Sequence, residues 1–247
     1  MLLRDHRIAV PGRVRILRLC ADGAWRLHGE HDNIQTNWAL YALASWYSGV
    51  SNVAGSPGSI LPPTYIALGT GSTSGLPQQS DIAMYAEAFG TRQALAYTAI
   101  YGGSEAQMTT SYQTTQALGT WTEAGFWDAP TGSAAVGTGG ATAGATTLPL
   151  GANAPAMQGG SAPGSYNTAY INDGTSAEYV SIANTAAAGA SSWTLQAPLQ
   201  YSHAAAVPIV CFTGHLFAHA ALSPSVTKSS SNPEVLAVQW AVPFTVA

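Results

Sequence analysis

Charged residues are scarce in this sequence. Only 8% of its 247 residues are Asp, Glu, Lys or Arg, and the formal net charge is −4. Ordinary soluble domains carry about 25% of these residues, so the surface must be built largely from Ser, Thr, Asn, Gln, Gly and Ala. A lone monomer with so few charges is poorly protected against association. The composition therefore favours large subunit interfaces, and a weakly charged lectin or glycosidase accessory module is the alternative.

Cysteines are also few, and long apolar runs are missing. Cys20 and Cys211 each lie in an apolar, strand-like run, and no Cys-x-x-Cys or Cys/His ligand cluster is present. We expect two buried thiols, no metal and no cofactor. No stretch approaches the roughly 18 apolar residues of a membrane helix, and Arg4 and Asp5 interrupt any signal-peptide core. The sequence predicts neither a membrane partner nor conventional export.

The basic residues are unevenly distributed. Six of the eight precede residue 27, namely Arg4, Arg7, Arg13, Arg15, Arg18 and Arg26. Such a cluster could contact nucleic-acid phosphates, but Asp22 and Glu30 lie among these residues. The sequence favours strand residues that pair with acidic neighbours, and we expect no nucleic-acid partner.

One β-hairpin is interrupted by a long segment. Residues 121–132 and 213–222 each end or begin with Thr-Gly, and joined directly they read as two alternating strands with a turn at Asp128 to Gly132. Loop tips tolerate such insertions because few buried contacts cross them. We predict a discontinuous scaffold domain, residues 1–132 and 213–247, and an inserted small β domain, residues 133–212. The alternative is one continuous all-β domain with a long Gly/Ala loop.

Strand patterns dominate both parts. Asp22-Gly23 predicts a hairpin, residues 33–47 predict one packed helix, and a further strand is expected near residues 84–89. In the insertion, residues 138–145 predict a flexible Gly/Ala lead-in, followed by strands near 146–150, 169–172, 177–183, 192–195 and 207–212. The predicted class is mainly β: a β-sandwich or jelly-roll-like domain with one packed helix, plus an inserted small β-barrel-like domain.

A series of short motifs, taken in order, resembles a β-rich family of tailed-bacteriophage virion proteins. The pieces are Pro62 to Gly71, the pair Glu87 and Arg92, Thr122 to Phe126, Leu216 to Lys228 and Val238 to Phe244. Each piece is short, and their order carries the specificity. The family commonly has Arg where His219 stands, and the insertion resembles a small β module that recurs in phage tail proteins.

The resemblance implies a structural role. It implies a tail- or baseplate-associated component of the virion, assembled in the host cytoplasm, that contacts copies of itself and other virion proteins. A capsid decoration protein and a host-glycan-binding or receptor-binding tail module are the alternatives. The resemblance also singles out Glu123 and Arg92. Because Arg92 is the only basic residue between Arg26 and Lys228, we predict a buried structural pair of Arg92 with Glu123, and Glu87 is the other acidic candidate.

Catalytic motifs are weak. Gly69-Thr-Gly71 lacks the spacing and the following helix of a dinucleotide site. His215 and His219 have zinc-like spacing, but on a strand their starting points lie roughly 13 Å apart. The acidic residues form no recognisable pair for glycoside hydrolysis. We therefore expect no enzyme activity and no metal site, apart from a metal shared between subunits at a symmetry axis.

Aromatic residues of the insertion are the candidate ligand-binding groups: Tyr166, Tyr170, Tyr179, Trp193 and Tyr201. Sugar binding needs exposed rings beside polar side chains. Because these aromatics alternate with apolar strand residues, a core position is the favoured interpretation, and a host surface glycan is the alternative partner.

Overall fold

The structure is a computed structural model. It describes residues 12–20, 22–48, 63–71, 76–99, 105–230 and 234–243. Arg4 and Arg7 of the basic cluster, and Pro62 and Phe244 of the family motifs, lie outside these described residues.

The described residues form fifteen strands and one helix. In chain order they are β1 (Gly12–Leu19), β2 (Trp25–Gln35), α1 (Asn37–Ser48), β3 (Tyr65–Gly69), β4 (Gln93–Ala94), β5 (Ala96–Ala99), β6 (Glu105–Tyr112), β7 (Gly119–Trp127), β8 (Gly132–Ala135), β9 (Thr147–Pro149), β10 (Thr168–Asn172), β11 (Ala177–Ser181), β12 (Ser192–Thr194), β13 (Pro208–Cys211), β14 (Leu216–Lys228) and β15 (Leu236–Pro243). The predicted mainly β class with a single helix is confirmed.

Nine strands form one antiparallel sheet in the order β4-β3-β7-β14-β2-β1-β15-β6-β5. The sheet is nearly closed, because β4 and β5 lie at its two edges and only Leu95 separates them in the chain. The amide of Leu95 donates to the Thr64 carbonyl beside β3, while the Thr110 hydroxyl of β6 donates to the Ala94 carbonyl. The enclosed apolar core includes Val14, Phe126 and Trp240.

Both predicted hairpins are confirmed. β1 pairs with β2 across the turn at Asp22 and Gly23. β7 pairs with β14 in antiparallel register, with Leu216 opposite Trp127. The two half-strands therefore meet as neighbours although residues 128–215 intervene.

Strands β8 to β13 form sheets of their own. Four pair in the order β11-β10-β13-β8, and β12 pairs with β9. We call residues 132–212 the module. Its core contains Leu148, Ile171 and Trp193 and is distinct from the scaffold core. That the module is an independently folding inserted domain stays a prediction.

The Gly/Ala segment that begins the module is not a free linker. Ala141 exchanges two backbone hydrogen bonds with His203, and the Gly144 amide donates to the Leu199 carbonyl. Ala141 is buried against the module core. The prediction of a flexible lead-in at residues 138–145 is therefore wrong, because these small residues form hydrogen-bonded turns on the sheet.

The helix begins later than its sequence pattern predicts. Asn33 to Gln35 belong to β2, where Asn33 lies opposite Ala220 of β14, and α1 starts at Asn37. Thr36 is the N-cap, since its hydroxyl oxygen accepts from the Ala39 amide. The Thr36 hydroxyl also contacts the Leu216 carbonyl, which ties the helix start to β14. Among the described residues, no helix is long and apolar enough to cross a membrane.

We predict that a chain joining Gly132 directly to His215 still folds. Gly132 lies opposite Cys211 in neighbouring strands, so the two ends of the module are about one strand spacing apart. The shortened chain should be soluble and β-rich, with cooperative thermal unfolding by circular dichroism. Recovery of aggregate alone, under conditions where the full chain is soluble, would contradict this division.

Candidate functional site

A buried ion pair lies beneath the point where the chain enters and leaves the module. Arg92 Nε and Nη2 donate to the two carboxylate oxygens of Glu87 at 2.8 and 2.6 Å. The two side chains are only 3% and 2% exposed. The guanidinium carbon lies 4.1 Å from the centre of a Trp127 ring, which adds a cation–π contact. Burial raises the pKa of Glu87, and Arg92 opposes that shift.

The third nitrogen of Arg92 connects the two crossing segments. Nη1 donates to the carbonyls of Ala129 at 3.1 Å and Pro130 at 3.3 Å, on the segment entering the module. It also donates to the Thr213 carbonyl at 2.6 Å, on the segment leaving it. One guanidinium therefore holds both connections together.

The predicted pair of Arg92 with Glu123 is wrong, because Arg92 pairs with Glu87, the other acidic candidate. Glu123 is fully buried in β7. Its carboxylate accepts from the amides of Gly71, Tyr85 and Ala86 at 3.1, 3.0 and 2.7 Å. The three backbone amides thus supply hydrogen bonds to both carboxylate oxygens, so Glu123 can be buried without an arginine partner.

Glycines make this approach to Glu123 feasible. A Cβ added at Gly69 would lie 2.5 Å from Glu123 Oε1 and from the Ala86 carbonyl oxygen, and one at Gly71 would lie 2.6 Å from the Ala86 nitrogen. The glycines of Gly69-Thr-Gly71 therefore leave room for the Glu123 carboxylate and for the backbone of Tyr85 and Ala86.

His219 completes this cluster. Its Nε2 lies 2.7 Å from Glu123 Oε2, and its Nδ1 lies 2.8 Å from Asp81 Oδ2. The Tyr85 ring lies nearly perpendicular to the imidazole, with the two ring centres 4.8 Å apart. Burial lowers the pKa of His219, but the hydrogen bonds to Asp81 and Glu123 outweigh it, so the pKa is raised. Burial likewise opposes ionisation of Glu123, yet His219 and the backbone amides lower its pKa. His219 thus lies between the side chains of Asp81 and Glu123, and its contacts with both favour the protonated form of its ring.

The module carries a second cluster of the same composition. His203 is buried, with Nε2 2.9 Å from Glu178 Oε1 and Nδ1 3.2 Å from Asp173 Oδ2. Glu178 also accepts from the amides of Gln200 and Tyr201. A hydrogen bond from the Thr175 hydroxyl, with those of nearby amides, lowers the pKa of Asp173. Scaffold and module therefore share one arrangement, in which a buried histidine lies between an Asp and a Glu side chain and connects a loop to a strand.

A third histidine lies at the surface. His215 Nδ1 is 2.7 Å from Asp128 Oδ2, and its amide donates to Asp128 Oδ1 at 2.7 Å. Its ring stacks on Trp38 of α1 with centres 3.6 Å apart. The contact closes the base of the β7–β14 hairpin and joins it to the helix. His215 and His219 have separate carboxylate partners, and in the described part of the chain no three His, Cys, Asp or Glu residues are grouped to hold a metal ion.

The five candidate aromatics occupy different environments, so the core position that the sequence favours is correct for Trp193 and wrong for the exposed Tyr179 and Tyr201. Trp193 is a core residue of the module, Tyr166 is half-buried, and Tyr201 is exposed. Tyr170 and Tyr179 are opposite residues of β10 and β11, with rings 4.8 Å apart. The sequence analysis missed Phe89 of the scaffold, which stacks on Tyr170 at 4.7 Å and donates its amide to Tyr179 Oη.

The two thiols are free, and the expectation that both are buried is correct for Cys211 and wrong for Cys20. Cys211 is buried, which raises its pKa to about 12, whereas Cys20 is half-buried.

Comparisons with family models, with curated proteins and with solved structures find no match to this chain.

We predict that His219 gives the unfolding midpoint a distinct pH dependence. Because the folded pKa of His219 is raised above its ordinary value of 6.5, its stabilisation is fully present below that pH. It is lost as pH rises through the folded pKa. The midpoint difference between wild type and His219→Gln should therefore be largest in mildly acidic buffer and shrink at alkaline pH.

Thermal unfolding across pH 5 to 9 measures this difference. The comparison with His219→Gln is needed because burial lowers the pKa values of His28 and His31, which act in the opposite direction. Asp81→Asn is the matched variant and should reduce the pH dependence without removing it. A difference that grows with pH would show that His219 is buried neutral.

Proposed function

We propose that this chain is a structural component of a tailed-bacteriophage virion, associated with the tail or baseplate. It would assemble in the host cytoplasm through contacts with its own copies and with neighbouring virion proteins. The observation that carries the proposal is the pairing of an 8% charge content with large exposed apolar side chains. These include Leu27 at 57% and Trp25 at 45% exposed. A surface of this kind is more economical inside an assembly than on a free monomer.

The family resemblance supports the same role. Its separate pieces supply the parts of the two buried scaffold clusters: Gly69 and Gly71, Glu87 with Arg92, Glu123, and His219 within β14. Lys228, at the end of the same motif, donates to the carbonyls of Gln113, Thr114 and Gln116. The motifs thus contain the residues that form the buried polar contacts of this sheet.

Catalysis is not part of the proposal. His219 and Glu123 have no exposed side-chain surface, and His203 is equally buried. A general acid or base must reach the atom to which it transfers a proton, and these groups face one another inside the protein. No cofactor or metal is needed for the proposed role.

Particles purified from the phage or prophage that encodes this chain test the proposal. We predict that peptides of the chain sediment with tail proteins in a density gradient, and that immunogold labels the tail or baseplate. Gold on the head surface would favour the alternative role as a capsid decoration protein. Peptides found only in particle-free fractions would contradict a virion role.

A host-glycan-binding tail module is the second candidate, and the aromatic group of Phe89, Tyr170 and Tyr179 favours it. Phe89 and Tyr179 are each 50% exposed, and the Asn172 amide beside them donates to Tyr170 Oη. Exposed rings beside an amide are the groups that bind the apolar face and the hydroxyls of a sugar.

Binding of the full chain to immobilised polysaccharide from the host surface tests this candidate. Tyr179→Ala should weaken binding at least about tenfold, a loss of roughly 1.4 kcal/mol, while Tyr201→Ala, which removes an exposed ring outside this group, should not. Equal binding by wild type and Tyr179→Ala would exclude this face as the glycan site.

A further inference from the structure

The outer face of the β1–β2 hairpin carries an apolar cluster outside both cores. Leu17 lies opposite Leu27, and Leu19 lies opposite Trp25. Opposite residues of an antiparallel pair share one face of the sheet, so these four side chains lie together. Leu27 is 57% exposed and Trp25 45%, while Leu17 and Leu19 are half-buried. We call these four residues the hairpin patch.

The strand geometry directs this patch away from the scaffold core. Val14 and Ile16 of β1 are core residues on the inner face. Leu17 and Leu19 fall on the other face because side chains alternate along a strand. The register of β1 and β2 shifts between Ile16 and Leu17, and this bulge keeps Leu27 on the outer face with Leu17. Among the residues that the structure describes, none of the core clusters includes the patch, so it lies on the outer surface of the hairpin.

The border of the patch carries both signs of charge. Arg15 and Arg13 pair with Glu30 beside it, and Arg26 pairs with Asp22 at the hairpin tip. Ion pairs within the hairpin leave the rim nearly balanced, so it offers no strong attraction to a highly charged partner. An apolar centre inside a polar rim is the usual anatomy of a protein interface.

We propose that the hairpin patch is a contact between two copies of this chain. In a two-fold contact the same surface serves both subunits, so the apolar centre of one copy meets that of the other. The balanced rim then lets basic groups of one copy approach acidic groups of its mate without net repulsion. This inference rests on the proposed role in assembly and names the surface used.

Leu27→Asp in the full chain tests the contact. Placing a charge at the centre of the patch should raise the dissociation constant of the dimer at least about tenfold, measured by sedimentation velocity over a micromolar concentration series. Leu76→Asp is the matched control, because Leu76 is still more exposed and lies outside the hairpin. The control should associate like wild type.

Hydrogen–deuterium exchange of the wild-type chain gives a second measurement that needs no variant. Amides of residues 25–29 should become more protected as protein concentration rises, whereas protection in the module core should stay constant. A wild-type chain that remains monomeric, or a dimer that Leu27→Asp leaves unchanged, would overturn the proposal. Neither result decides the virion role, which the particle fractionation tests separately.

Discussion

The buried guanidinium of Arg92 is the contact on which the connection of scaffold and module depends. It pairs with Glu87 through two nitrogens and reaches three carbonyls of the crossing segments through the third. Removing a buried charge from water is costly unless its hydrogen bonds are made. Moving either segment would therefore leave donors of Arg92 unsatisfied. The module is held where a single cation can serve both of its connections.

The scaffold loop before Arg92 depends on a second polar centre. The carboxylate of Glu123 accepts hydrogen bonds from the amides of Gly71, Tyr85 and Ala86. The His219 ring lies between Glu123 and Asp81 and contacts both. The same loop contacts the module, since the amides of Ile82 and Ala83 donate to the Gly164 carbonyl. A Cβ added at Gly164 would lie 2.4 Å from Asp81 Oδ1. The buried cluster of Glu123, His219 and Asp81 thus positions the scaffold loop that contacts the module at Gly164.

Local patterns predicted the elements whose determinants are local. The β1–β2 hairpin follows from Asp22-Gly23, and the expected strands of the module follow from alternation between turns, so both agree with the structure. Residues 84–89 were predicted as a strand but make only one bridge, between Glu87 and Gly69. Their amides bond the carboxylate of Glu123, which alternation does not reveal. β8 was missed because Gly132 to Ala135 are too small to show an apolar pattern.

The site residues were recognisable individually, but their pairing was not. Arg92 and Glu123 were predicted to be buried, and they are, but the choice between Glu87 and Glu123 as partner of Arg92 depends on how β7, β14 and the loop meet in space. His219 could have indicated the answer. It stands where the resembled family commonly has Arg, and a cation there would serve as the partner of Glu123.

A set of three double-mutant cycles tests the central role of Arg92 most directly. Removing either Arg92 or Glu87 should cost about 3–5 kcal/mol of unfolding free energy, because each change strands a buried charge. The double variant Arg92→Ala/Glu87→Ala should lose at least about 1 kcal/mol less than the sum of its single variants, whereas Arg92→Ala with Glu123→Ala should be nearly additive. The exposed pair Arg26 and Asp22 is the control and should show little coupling. Additive losses for Arg92 and Glu87 in chemical denaturation would contradict the account.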